Sequence, residues 1–122
     1  MHIGELADLA EEHGIRVVWH RGGPKGAWLP PGTVSVREGM SGAQTRCTLA
    51  HELAHALAGD PAGCEGWRER RADERAAEML ISDEAYAAAE VAYGAEPGAL
   101  ARELDVTVRM VEVWRDCRER RR

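Results

Sequence analysis

Thr48-Leu49-Ala50-His51-Glu52-Leu53-Ala54-His55-Ala56-Leu57 reads as a helical stretch with two histidines one turn apart. On an α-helix, residues i and i+4 stand one above the other on a single face, so His51 and His55 can grip one cation. Zinc accepts imidazole nitrogen, and catalytic zinc sites take three protein ligands and keep a position for water. Glu52 follows the first histidine, where its carboxylate can reach that water and take a proton from it. His-Glu-x-x-His is therefore a metal-hydrolase motif with its base built in. Leu49, Leu53 and Leu57 form a second row on the same helix, and that row is predicted to face the core.

Two ligands need a third. Downstream, Glu69-Arg70-Arg71-Ala72-Asp73 places two carboxylates four residues apart, again on one helical face. Glu69 can complete the ligand set, and Asp73 can accept a hydrogen bond from the far nitrogen of a ligating histidine, which fixes its tautomer and ring orientation. Zinc follows from the ligand types, and manganese or another divalent ion satisfies the same donors.

Working outward, Ser41-Gly42-Ala43-Gln44 has the form of a capping box and predicts a metal helix from about residue 41 to Ala58, stopped by Gly59-Asp60-Pro61. Upstream, Ile3 to Glu12 carries apolar residues at helical spacing and Gly14 closes that helix. Ile15–His20, Ala27–Leu29 and Thr33–Arg37 read as three strands separated by Gly/Pro turns, which predicts a small antiparallel sheet. Downstream come helices over about 67–81, 82–93 (capped by Ser82, ended by Gly94), 97–104 (Pro97 in the first turn), and from a Thr107 cap to the basic tail Arg118–Arg122. Ala72, Ala76, Met79 and Leu80 are expected to face the core. The small alanines allow the two metal helices to approach closely. A sheet followed by helices gives an α+β class, mostly helical.

Composition sets the bounds. The chain has 122 residues and a net charge of −5, which argues against general affinity for nucleic acid. No apolar run approaches the ~18 residues of a membrane span, and the acidic first turns (Glu5, Asp8, Glu11, Glu12) are unlike a signal peptide. Cys47, Cys64 and Cys117, an odd number without paired spacing, are expected as free thiols in a reducing cytoplasm.

The segment Leu49-Ala50-His51-Glu52-Leu53-Ala54-His55, followed by Glu69-x-x-Ala72-Asp73-x-x-Ala76-Ala77-x-Met79-Leu80, resembles the ImmA/IrrE family of metallopeptidases. The correspondence in order and spacing runs over about residues 1–105 and is most specific over 48–81. It implies a single metallopeptidase domain, with a zincin-like core over about 1–95 and a C-terminal helical element over 96–122. It also implies one zinc ion held by His51, His55 and Glu69, with Glu52 as catalytic base and Asp73 as its outer partner. The substrate it implies is a helix-turn-helix repressor, encoded alongside the peptidase in phages and mobile elements and cut once to relieve repression. Three positions depart from the family pattern: Arg75 where an aromatic is frequent, Ala54 where a glycine is, and Ser82 where a proline commonly follows. They spare the ligands but alter the neighbouring pocket.

Further expectations concern the surroundings. Thr33–Arg37 offers a strand edge on which an extended substrate can add. His20, Tyr86 and Tyr93 are the candidates for stabilising an oxyanion, each also readable as a packing or surface residue, and Cys64, in the loop between the metal helices, reads as a bystander thiol that can also approach the ion. Ala99 to Val111 has a helix-turn-helix pattern, read here as a packed, degenerate element because Thr107-Val108-Arg109-Met110 offers few base-reading groups. Two other functions fit the same residues: a metal-bearing regulator that binds a transcription factor without cutting it, and a DNA-binding protein with a structural metal.

Overall fold

The computed structural model describes residues 1–121; Arg122, the end of the predicted basic tail, lies outside them. In chain order the elements are α1 (Ile3–Glu12), β1 (Arg16–His20), β2 (Gly26–Leu29), β3 (Thr33–Arg37), α2 (Gly42–Ala58), α3 (Trp67–Leu80), α4 (Asp83–Tyr93), α5 (Pro97–Leu104) and α6 (Val108–Arg120). This is the expected α+β class.

The caps explain most boundaries. Ser41 Oγ accepts from the Gln44 amide at 3.2 Å and starts α2. Ser82 and Thr107 start α4 and α6 in the same way, through the amides of Ala85 and Met110. At α1 the cap is His2, whose ring nitrogen accepts from the Glu5 amide while Glu5 accepts from the His2 amide. Glu96 caps α5, its two carboxylate oxygens accepting from the amides of Gly98 and Ala99, each at 2.8 Å.

The sheet is mixed, not antiparallel. Its order is β1-β3-β2, with β2 antiparallel to β3 but β1 parallel to it. The expectation of a meander assumed that consecutive strands pair. Burial decides otherwise: Val34, Ser35 and Val36 are buried on both faces, so β3 takes the middle, while β1 and β2 each carry exposed residues. The segment 21–32, β2 included, supplies the connection that a parallel β1–β3 pair requires. A second correction follows. Thr33–Arg37 has both edges paired and cannot accept a substrate strand; the open edge next to α2 belongs to β2.

Helix α2 lies across β2 and β3 and against α1 and α3. Leu49 and Leu53 are fully buried with Val34, Val36 and Leu6. Each such side chain contributes about 1.5–3 kcal/mol by leaving water. Leu57, placed in the same row by sequence, is instead 40% exposed at the last turn of α2, where it lines an open pocket with Arg71, Arg75 and Met79 of α3. Ala72, Ala76 and Ala77 are buried, and the α2–α3 packing is close as expected. Helix α6 packs on α3 through Met110, Val111 and Trp114; the Trp114 ring stacks on Tyr86 at 4.1 Å and donates to the Ile81 carbonyl. Buried Arg46 of α2 binds the carbonyls of Met1, Leu104 and Asp105, tying the N-terminus and the α5–α6 turn to α2.

Candidate active site

His51 and His55 project from α2 towards α3, where Glu69 stands in the first turn. Nε2 of His51 lies 2.8 Å from Glu69 Oε1, and Nε2 of His55 lies 2.8 Å from Oε2. Both rings thus aim at one carboxylate. The opposite nitrogens are also engaged: His51 Nδ1 meets Asp73 Oδ1 at 2.8 Å, and His55 Nδ1 meets Asp60 Oδ2 at 2.9 Å. Glu52 shares the site, with one ligand atom of each of His51, Glu52 and His55 within 4.8 Å of the others.

Asp60 was not legible as more than a helix stop. It is delivered by the way α2 ends. Gly59 adopts the left-handed conformation (φ 70°), its amide bonds Ala56 O, and the Asp60 amide bonds His55 O at 3.1 Å. That is a Schellman motif, which turns the residue after the glycine back towards the helical residue five before it. Here those residues are Asp60 and His55. A glycine stop followed by an acid, one turn past the second histidine of His-Glu-x-x-His, is the signal that would have found it. The Asp60 carboxylate also bonds Arg71, and its carbonyl accepts from Trp28 Nε1 at 2.6 Å, joining α2, α3 and β2 at one point.

Proton counting tests whether this set suits a cation. Each imidazole lies between two carboxylates, yet a neutral imidazole carries one N–H. If Nδ1–H donates to Asp73 or Asp60, each Nε2 faces a Glu69 oxygen as acceptor to acceptor. A divalent ion between them removes that conflict, and two imidazoles with one carboxylate are donors suited to zinc. Without an ion, a second proton on His51 relieves the conflict at that ring. Burial works to lower the His51 pKa, but the Asp73 hydrogen bond and the charges of Glu52, Asp73 and Glu69 outweigh it and hold it above the ordinary imidazole value. At Glu52, burial is the largest influence and raises the carboxyl pKa despite the nearby histidines. Asp60 and Asp73 are both lowered: burial opposes this, but hydrogen bonds from Arg71 and His55, and from His51 and Arg109, prevail.

The cleft over the site runs along β2. One part is lined by Lys25, Thr48, Thr107 and Arg109, the other by Leu29, Pro61, Ala62 and Cys64, with Gly26, Glu52 and Glu69 shared. Cys64 groups with the outer partner: a ligand atom of it lies within 4.8 Å of ligand atoms of His55 and Asp60, with its thiol donating to the Pro61 carbonyl. All three cysteines are free thiols. The three oxyanion candidates are not in the cleft. His20 bonds Ser35 Oγ and the Pro24 carbonyl, Tyr86 accepts from Arg115 on the far side of α4, and Tyr93 is exposed at the end of that helix.

The family model for Peptidase M78, the IrrE N-terminal-like domain, matches residues 10–113. The chain belongs to this family. The match spans the sheet, α2, α3 and the first half of α6, so this chain carries a metallopeptidase-type domain. Comparison with curated proteins finds no match. Among the described residues of this M78 chain, no helix is long and apolar enough to cross a membrane.

Proposed function

We propose that this M78 peptidase is a zinc-dependent endopeptidase of the cytoplasm that cuts one peptide bond in a helix-turn-helix transcriptional repressor and so relieves repression. The observation that carries the chemistry is the convergence of two histidine Nε2 atoms on the two oxygens of Glu69, beside Glu52. In this reading His51, His55 and Glu69 hold the metal, and Asp73 and Asp60 orient the imidazoles. Bound zinc supplies Lewis acidity, lowering the pKa of water towards about 7 and polarising the scissile carbonyl.

The remaining work falls to the chain. Glu52 Oε takes the proton of the attacking water and passes it to the leaving amine nitrogen, and its raised pKa suits that exchange. Strand β2 holds the substrate. The Lys25 carbonyl bonds the Arg37 amide of β3, so by alternation the backbone groups of Gly26 and Trp28 point to the open edge. An extended peptide pairs there and passes in front of Glu52. The repressor as substrate comes from the family resemblance; the cleft itself asks only for an extended segment.

DNA binding is disfavoured by where the cations go. Arg109, Arg118, Arg120 and Arg121 each pair with a carboxylate of α3 or α4. A purely binding role has no chemical need of Glu52. The test is elemental analysis of the purified protein, followed by incubation with the repressor encoded beside it and mass spectrometry. About one zinc per chain and a single cut are expected. Glu52→Gln should keep the zinc and lose the cut, while Glu69→Ala should lose the zinc. A protein that stays metal-free with added zinc overturns the proposal.

A further inference from the structure

We propose that Arg109 is a positioning residue of the metal centre, so that α6 completes the site instead of merely packing beside it; this rests on His51, His55 and Glu69 holding a metal. Asp73 uses its two oxygens on different partners: Oδ1 on His51 Nδ1 at 2.8 Å and Oδ2 on Arg109 Nη2 at 2.5 Å. A carboxylate held by one oxygen can still swing about its own axis. Held by both, its plane is fixed, and with it the tilt of the His51 ring.

The other histidine repeats the arrangement. Asp60 gives Oδ2 to His55 and Oδ1 to Arg71. Each ligand ring therefore ends a histidine–aspartate–arginine relay. The Arg71 relay is internal to α2, α3 and the turn between them, whereas the Arg109 relay comes from the C-terminal helix. Arg109 stands one residue into α6, just after the Thr107 cap, and buried Met110, Val111 and Trp114 fix that helix on the core. Its side chain is 74% exposed, so the ion pair adds little to folding. Its effect is on orientation. The same arginine begins what reads as a recognition helix, and here it is turned onto the site.

A generic loosening of the α3–α6 interface has its own control. Arg120–Glu74 joins the same two helices away from both histidines. The test uses the full chain, zinc competition against a chromophoric chelator, and the visible spectrum of the cobalt(II)-loaded protein. Arg109→Met should lower zinc affinity about tenfold, the low end for loss of an outer partner, and shift the cobalt bands, with an unchanged urea midpoint. Arg109→Lys should recover part of the affinity. Arg120→Met should leave both readouts at wild type. Wild-type affinity and spectrum in Arg109→Met overturn the inference, as does an equal loss in Arg120→Met. A wild-type protein that takes up neither metal removes the underlying metal centre and the inference with it.

Discussion

Gly26 makes the sharpest test of how the sheet and α2 meet. A Cβ built at this position lies 2.5 Å from Thr48 Cγ2, 3.0 Å from Glu52 Cγ and 3.2 Å from Glu52 Oε2. Carbon atoms in contact prefer about 3.5–4.0 Å, so the first approach is short by roughly 1 Å. Thr48 is β-branched and helical, which restricts its χ1, and β2 is pinned to α2 through Trp28 and Asp60. Overpacking of this kind costs about 1–3 kcal/mol. Replacing glycine by alanine returns about 0.4–1 kcal/mol through the unfolded chain. Gly26→Ala should therefore destabilise by about 1–2 kcal/mol.

Thr48→Ser removes the offending methyl. Thr48 is only half-buried, so this alone should cost about 0.5 kcal/mol. If the clash is the cause, the double variant should be about as stable as Thr48→Ser, a coupling of roughly 1–2 kcal/mol between the two positions. Urea unfolding followed by circular dichroism measures all four proteins. Activity should behave differently, because the approaches to Glu52 survive in the double variant and still displace the base. Stability restored without activity is the expected signature. Additive effects, or a Gly26→Ala protein as stable as wild type, would refute the packing argument.

Two further predictions follow from single carboxylates. Asp60→Ala strips buried His55 Nδ1 and Arg71 of their partner; it should destabilise by about 2–3 kcal/mol by urea unfolding and weaken zinc about tenfold or more by chelator competition. Glu96 has its pKa held below 4.5 by the amides of Gly98 and Ala99. A depressed folded-state pKa means that the unfolded chain binds the proton more readily, so this cap stabilises above about 4.5 and fades as pH falls through the lower value. Thermal unfolding of Glu96→Gln should thus lie below wild type near neutrality and converge with it in acid.

The helices were legible because their signals are local. Ser41, Ser82, Pro97 and Thr107 start helices where the sequence places them, and the His-Glu-x-x-His spacing puts both rings on one face. Glu69 and Asp73 could be paired with the histidines because the same periodicity governs both helices. Strand order was not legible, since hydrophobic alternation describes the faces of a strand but not its neighbours. Asp60 was hidden by a turn motif that also serves as an ordinary stop. Arg109 was hidden by long-range packing, because nothing local relates residue 109 to residue 73.

Those two unforeseen contacts bear on which ion the site takes. Of the four carboxylates around the rings, Asp60 and Asp73 each bond an arginine directly, Arg71 and Arg109. Arg68 stands farther from Asp60, at 3.7 Å, and is partly exposed. Among the described residues, the acids without a directly bonded arginine are Glu69, which joins the two rings, and Glu52. Two acids beside two imidazole nitrogens form a donor set that matches a divalent cation. The arginines thus suit the outer carboxylates to orienting the rings and, in the proposed reading, leave Glu69 to the metal and Glu52 to the proton. Such a donor set favours a divalent ion over a monovalent one, and the proposed zinc follows from the two nitrogen donors.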